Sequence, residues 1–117
     1  MIEVAFNVPE DVRALSLPVD WDAVEAAIDR GVRRTLEREG HSAGEISVTA
    51  LADADITDLN QRYLGHDGPT DVISFPLGVP EAPLGDVYIG AEQALRQASE
   101  LAVDPFEELV RLAVHGT

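Results

Sequence analysis

The chain is predicted to form one α+β domain, a small mixed four-stranded sheet packed against helices. Three observations point there. Short runs of alternating apolar and polar residues recur, with the period of a half-buried strand. Between them lie stretches with apolar residues three and four apart, the period of an amphipathic helix. With 117 residues, 45% of them hydrophobic, the chain has the size of one domain and enough apolar material to fill its core. There is no internal repeat, and residues 1–117 are read as one unit.

Ile2, Val4, Phe6 and Val8 alternate with Glu3, Ala5 and Asn7 and predict the first strand, which Pro9 ends. Asp20 is placed to cap a helix. Asp22 and Glu25 suit its start, and Trp21, Val24, Ile28, Val32 and Leu36 form one stripe. Gly40 supplies its stop. Ile46, Val48 and Ala50 mark a second strand. Asp53 is expected to cap a short helix that buries Ile56, Leu59, Asn60 and Tyr63.

Residues 65–69 are turn-rich. Val72 to Phe75 reads as a third strand, with Pro76 confined to an end or an edge. Residues 77–84 read as a loop and as the flexible segment of the chain. Asp86 to Ile89 reads as a fourth strand closed by Gly90. A helix from Ala91 to Ala102 is expected to turn Ala94, Leu95, Ala98 and Leu101 inward. Asp104-Pro105-Phe106-Glu107 is a strong helix start. The helix it opens is apolar around most of its circumference, which makes it the central buried helix.

Charge and composition narrow the function classes. The net charge is −14, with 22 acidic residues against 8 basic ones, all of them Arg. That balance disfavours unguided binding to nucleic acid, although it does not describe a local groove. There is no cysteine, so thiolate metal sites and disulfides are excluded. The apolar runs are too short to span a bilayer, and Met1-Ile2-Glu3-Val4 has no signal core, so a cytoplasmic protein is expected.

Three motifs carry chemistry. Leu59-Asn60 and Tyr63 lead through a turn to Pro69-Thr70-Asp71-Val72-Ile73-Ser74-Phe75-Pro76. Gly85-Asp86 follows, and then Val114-His115-Gly116-Thr117. In that order they resemble the YbeY family of zinc-dependent endoribonucleases, which mature ribosomal RNA. The family's metal motif reads His-Gly-x-Leu-His-Leu-x-Gly-Tyr-Asp-His, and its first three positions match residues 115–117. The resemblance implies a zincin-like fold and a domain lacking the rest of that metal motif.

It further implies a metal-dependent single-strand endoribonuclease of ribosomal RNA maturation and ribosome quality control, inactive as this chain stands. Zinc is the implied cofactor and His115 the implied metal ligand. Thr70, Asp71, Ser74 and Phe75 are the implied substrate-binding residues, and no catalytic residue is assigned. Ribosomal RNA, the ribosome and assembly factors are the implied partners, with no membrane.

Each motif also has a plain structural reading. A lone His at a helix end favours the helix dipole. Thr70 and Asp71 suit turn chemistry. Phe75 is expected to fill the core, and Asp86 to satisfy loop amides, with a minor role in orienting a ligand. Many relatives carry a basic residue directly after the Tyr, and here that position is Leu64. Arg62 precedes Tyr63 and is expected to face elsewhere, His66 reads as a surface loop residue more readily than as a proton donor or phosphate ligand, and His41, next to Gly40, reads as a helix-end His.

Arg30, Arg33, Arg34 and Arg38 form the basic cluster, open to an RNA contact and more cheaply read as a helix laced with ion pairs to Asp29 and Glu37. The alternative function is a non-catalytic module that binds a ribosomal or assembly-factor partner, because an acidic surface suits a basic protein. A metal-dependent hydrolase of another substrate is the weaker alternative. The apolar faces near Leu112 and Val114 are expected to be partly uncovered.

Overall fold

The computed structural model describes residues 1–78 and 83–117. The elements run β1 (Ile2–Asn7), α1 (Glu10–Arg13), α2 (Trp21–Arg38), β2 (Gly44–Leu51), α3 (Asp53–Leu64), β3 (Val72–Pro76), β4 (Leu84–Gly90), α4 (Ala91–Leu101) and α5 (Pro105–Gly116). The sheet is four-stranded and mixed, in the order β1-β2-β4-β3. β1 and β2 are parallel, as are β2 and β4, while β3 runs antiparallel to β4 at the edge. Parallel pairs need a crossover. α2 supplies the first, and α3 with β3 lies between β2 and β4 in the chain.

One face of the sheet makes the core. Ile2, Ile46, Val48, Val87 and Ile89 pack against Val24, Ile28, Val32 and Leu36 of α2, and against Leu109, Leu112 and Ala113 of α5. The sequence stripe of α2 is therefore its buried stripe, and Asp20 caps it by accepting from the amides of Asp22 and Ala23 at 3.1 and 3.2 Å. Asp104 caps α5 by accepting from the Phe106 amide at 2.8 Å, with Pro105 in the first turn. Asp104→Ala is expected to cost about 1 kcal/mol, read as a lower urea midpoint at unchanged slope.

The close approach of α5 to α2 has a local cause. A Cβ on Gly31 would meet Val114 Cγ2 at 2.6 Å. Only glycine lets the end of α5 lie this near α2.

Several expectations are corrected. Asp53 does not cap α3; Ala52 holds that position without a side-chain bond. Glu92 Oε1 accepts from the Asp53 amide at 2.8 Å, and Arg96 holds the Asp53 carboxylate through two bonds of 2.9 Å. A tertiary partner on α4 thus replaces local capping. Tyr63 is 60% exposed rather than buried, because it lies at the end of α3 beyond the last residue under cover.

Leu101 is 63% exposed, because α4 ends there and Ala102 turns left-handed at φ 56°. Leu112 is buried rather than uncovered, sealed in the core shared with α2 and the sheet. Leu84 belongs to β4, not to the loop, and residues 79–82 of that expected flexible loop lie outside the described residues. Val8 lies outside β1.

The four-residue α1 has too short a pattern to read. Its Val12 is fully buried with Ala50 and Ala91. Among the described residues, no helix is long and apolar enough to cross a membrane.

Candidate functional site

The chemistry-bearing motifs converge on the β3 edge and the C-terminal half of α5. The turn into β3 is held from three sides. Asn60, buried on α3, donates Nδ2 to the Gly68 carbonyl at 3.0 Å. The Asp71 carboxylate accepts from the Val72 amide at 2.8 Å, and the Asp71 carbonyl accepts from the Gly90 amide at 2.9 Å. Asp71 therefore performs the turn chemistry read from its sequence. Thr70 lies half-buried, with its carbonyl against the Cα of Gly90.

From that turn a polar seam runs into the helices. Gln97 of α4 donates Nε2 to Glu108 Oε2 at 3.1 Å, and reaches Asp71 Oδ2 at 3.4 Å, the long limit of such a bond. Glu108 is only 2% exposed, yet its carboxylate is fully engaged. Arg111 donates Nε to Oε1 at 2.7 Å and Nη2 to Oε2 at 2.9 Å, a two-pronged grip. The Arg111 guanidinium holds the Glu108 carboxyl below its ordinary range; burial opposes this and the Gln97 amide assists it. The same bond raises Arg111.

Gln97, Glu108 and Arg111 were missed in the sequence. The available signal was a Glu inside an otherwise apolar helix with an Arg three residues on, one helical turn away. Glu108, Arg111 and His115 stand at i, i+3 and i+7, so they share one flank of α5.

At the helix end, Gly116 lies flat on the sheet. A Cβ there would meet Val87 Cγ1 at 2.8 Å, Val72 Cγ2 at 2.9 Å and Ser74 Oγ at 3.0 Å. Its carbonyl accepts from the Ser74 hydroxyl at 2.7 Å. The glycine after His115 thus has a packing role that keeps α5 against β3 and β4, while the His115 side chain stays exposed. Ser74, Asp86, Gly116 and Thr117 line a groove of about 210 Å³ at this junction.

Phe75 leaves the strand on the opposite face from Ser74, as period-two alternation requires. It stands edge-on between Tyr63 and Tyr88, with ring centroids at 5.6 and 5.9 Å. Burial raises the Tyr88 phenol, and Asp86 adds to it. Thr70, Asp71, Ser74 and Phe75 therefore do not form one pocket. They are strung along an edge strand whose two faces carry different chemistry. His66 and Leu64 are exposed, and Arg62 pairs with Asp58 at 3.3 Å.

A hydrolytic zinc takes three protein ligands and keeps an open position. Among the described residues, no three His, Asp or Glu side chains stand where they would hold a metal ion. His115 is one donor. The described residues do not by themselves fit a resident zinc, and no chemical step is routed through one.

Comparison with known proteins follows the same residues. The model of the family described as Endoribonuclease YbeY matches residues 12–117. A protein named Endoribonuclease YbeY from Persephonella marina is 38% identical over 104 residues, covering 83% of this chain and 67% of the relative. One of the same name from Flavobacterium psychrophilum is 31% identical over 116 residues, covering 99% and 76%. Another, from Aquifex aeolicus, is 41% identical over 92 residues, covering 76% and 61%. The chain thus spans 61 to 76% of the length of these relatives. The solution structure of TM1509 from Thermotoga maritima is similar in fold, with a TM-score of 0.61 at 23% identity, covering 99% of this chain and 69% of that one.

Proposed function

The chain belongs to the YbeY endoribonuclease family, and on that premise we propose that it cleaves single-stranded RNA in the maturation of ribosomal RNA. The match to the family over residues 12–117 carries the reading. In it the protein works in the cytoplasm with the ribosome and its assembly factors. Thr70, Asp71, Ser74 and Phe75 belong to the substrate-binding edge, and His115 is one donor toward a zinc whose remaining ligands the described residues do not supply.

The chain's own residues suggest how a strand would be held. β3 is a sheet edge, so a strand laid across it meets both faces. On the α5 side, the Ser74 hydroxyl donates its hydrogen bond to the Gly116 carbonyl. Its oxygen can then only accept, which suits a ribose 2′-hydroxyl. On the other side the exposed ring is Tyr63, backed by Phe75. An unpaired base stacks on such a ring, whereas a base inside a duplex has no free face. The seam from Asp71 to Arg111 fixes the strand entrance relative to α5.

The test is cleavage of end-labelled ribosomal RNA fragments, single-stranded and in duplex, with zinc supplied. Internal cuts confined to the single strand, stopped by a chelator and reduced at least about a hundredfold by His115→Ala, are expected. Binding without any cutting would replace this reading by the non-catalytic module. Equal cutting by His115→Ala would remove His115 from the site.

A further inference from the structure

Eight arginines face 22 acidic residues in this chain, and most of them are visibly occupied. Arg62, Arg96 and Arg111 pair with Asp58, Asp53 and Glu108. Arg33 pairs with Asp29 at 2.9 Å and also donates to the Ile2 carbonyl. Arg13 donates to the Val8 carbonyl at 3.2 Å. Arg30, Arg34 and Arg38 differ. All three are exposed, and among the described residues no acid lies within ion-pair distance of them. The expectation that ion pairs lace this helix therefore holds for Arg33 and Asp29 and fails for the other three.

Those three stand at i, i+4 and i+8, one line along α2 with guanidinium stems about 6 Å apart. They flank a groove of about 510 Å³ with Arg33 and Glu37. Gly31, between Arg30 and Arg34 in sequence, is where Val114 of α5 touches α2. The line therefore passes beside the end of α5 that carries His115. In a chain of net charge −14, diffuse attraction to a polyanion is absent, so phosphate contact must come from a local strip.

We propose that Arg30, Arg34 and Arg38 form a phosphate-binding track that holds the backbone of single-stranded RNA entering or leaving the groove at the end of α5. The inference rests on the proposed RNA substrate and adds where its backbone lies. Guanidinium groups suit it, because each presents a fork of donors to phosphate oxygens. Arg38 also serves the last turn of α2, so the test spares it.

The experiment is fluorescence anisotropy with a labelled single-stranded ribosomal RNA oligonucleotide, measured from about 50 to about 200 mM salt. It compares the unaltered chain, Arg30→Gln/Arg34→Gln, Arg30→Lys/Arg34→Lys and the control Arg13→Gln/Arg62→Gln. The two glutamine variants change net charge equally. The track predicts that Arg30→Gln/Arg34→Gln loses about tenfold in affinity and lowers the slope of log K against log salt by about 1.4, while the control changes neither. The lysine variant is expected to keep the slope.

Equal losses in the track and control variants would overturn the track and leave the RNA substrate standing. Unchanged binding in Arg30→Gln/Arg34→Gln would do the same. No binding by the unaltered chain would overturn both the track and the RNA reading. Circular dichroism of each variant excludes a folding defect.

Discussion

Gly90→Ala is expected to destabilise the protein by about 2 kcal/mol. Gly90 has φ −75° and ψ 99°, a conformation any residue adopts, so backbone strain is not the reason. Loss of glycine entropy in the unfolded chain would by itself favour alanine by about 0.5 kcal/mol. The obstacle is space. A Cβ at this position would overlap the Thr70 carbonyl oxygen, and it would also touch Ile56 Cδ1 and Gln93 Cβ at 3.4 Å.

Thr70 is backbone in a held turn and has nowhere to go without breaking the bond from the Gly90 amide to the Asp71 carbonyl. Overpacking against backbone costs about 1–3 kcal/mol, which outweighs the entropic gain. Urea unfolding reads the effect. An unchanged midpoint would mean that the turn yields freely, and that it does not hold the entrance to β3 in register.

Glu108→Ala is the second large effect, about 2 kcal/mol. The carboxylate is buried and receives bonds from Arg111 and Gln97, so its removal leaves the half-buried Gln97 amide with only the long contact to Asp71. The figure stays below that for a fully buried pair because Arg111 is 55% exposed and water screens it.

The pH dependence has a definite sign. The folded-state pKa of Glu108 lies below its unfolded value. The stabilisation is therefore fully present above the unfolded pKa of about 4.3, and it is lost as pH falls through the lowered folded value. The gap in stability between the unaltered chain and Glu108→Gln should be widest near neutral pH and shrink at about pH 3. A gap independent of pH would assign the effect to shape rather than charge.

Much of the fold was legible because it rests on periodicity. The stripe of α2, the alternation of β1 and β2, and the cap of α5 are local patterns, and each reappears as a buried face or a hydrogen bond. Pro76, which has no amide to give to a neighbour, was confined to an end or an edge, and it stands at the end of β3 on the sheet edge. What failed depended on partners far away in sequence. Asp53 is claimed by Arg96, 43 residues on, and α1 exists because Val12 plugs a gap between β2 and α4.

The site was legible as motifs and not as geometry. Asp71 stands at the entrance to β3 and Ser74 on it, bonded to the Gly116 carbonyl beside His115, but of the seam through Gln97, Glu108 and Arg111 only the Glu108–Arg111 spacing leaves a local signal. The opposite facing of Ser74 and Phe75 follows from the strand period, yet its consequence for the site depends on α5 and α3 covering different faces of the same sheet.

The most direct measurement of the central claim is amide chemical-shift mapping of the chain titrated with a single-stranded ribosomal RNA fragment. The account predicts the largest changes at residues 72–76, at the end of α5 near His115 and Gly116, and around Arg30 and Arg34 on α2. Changes confined instead to the exposed face of β1 and β2, with the β3 edge and the end of α5 unmoved, would contradict it.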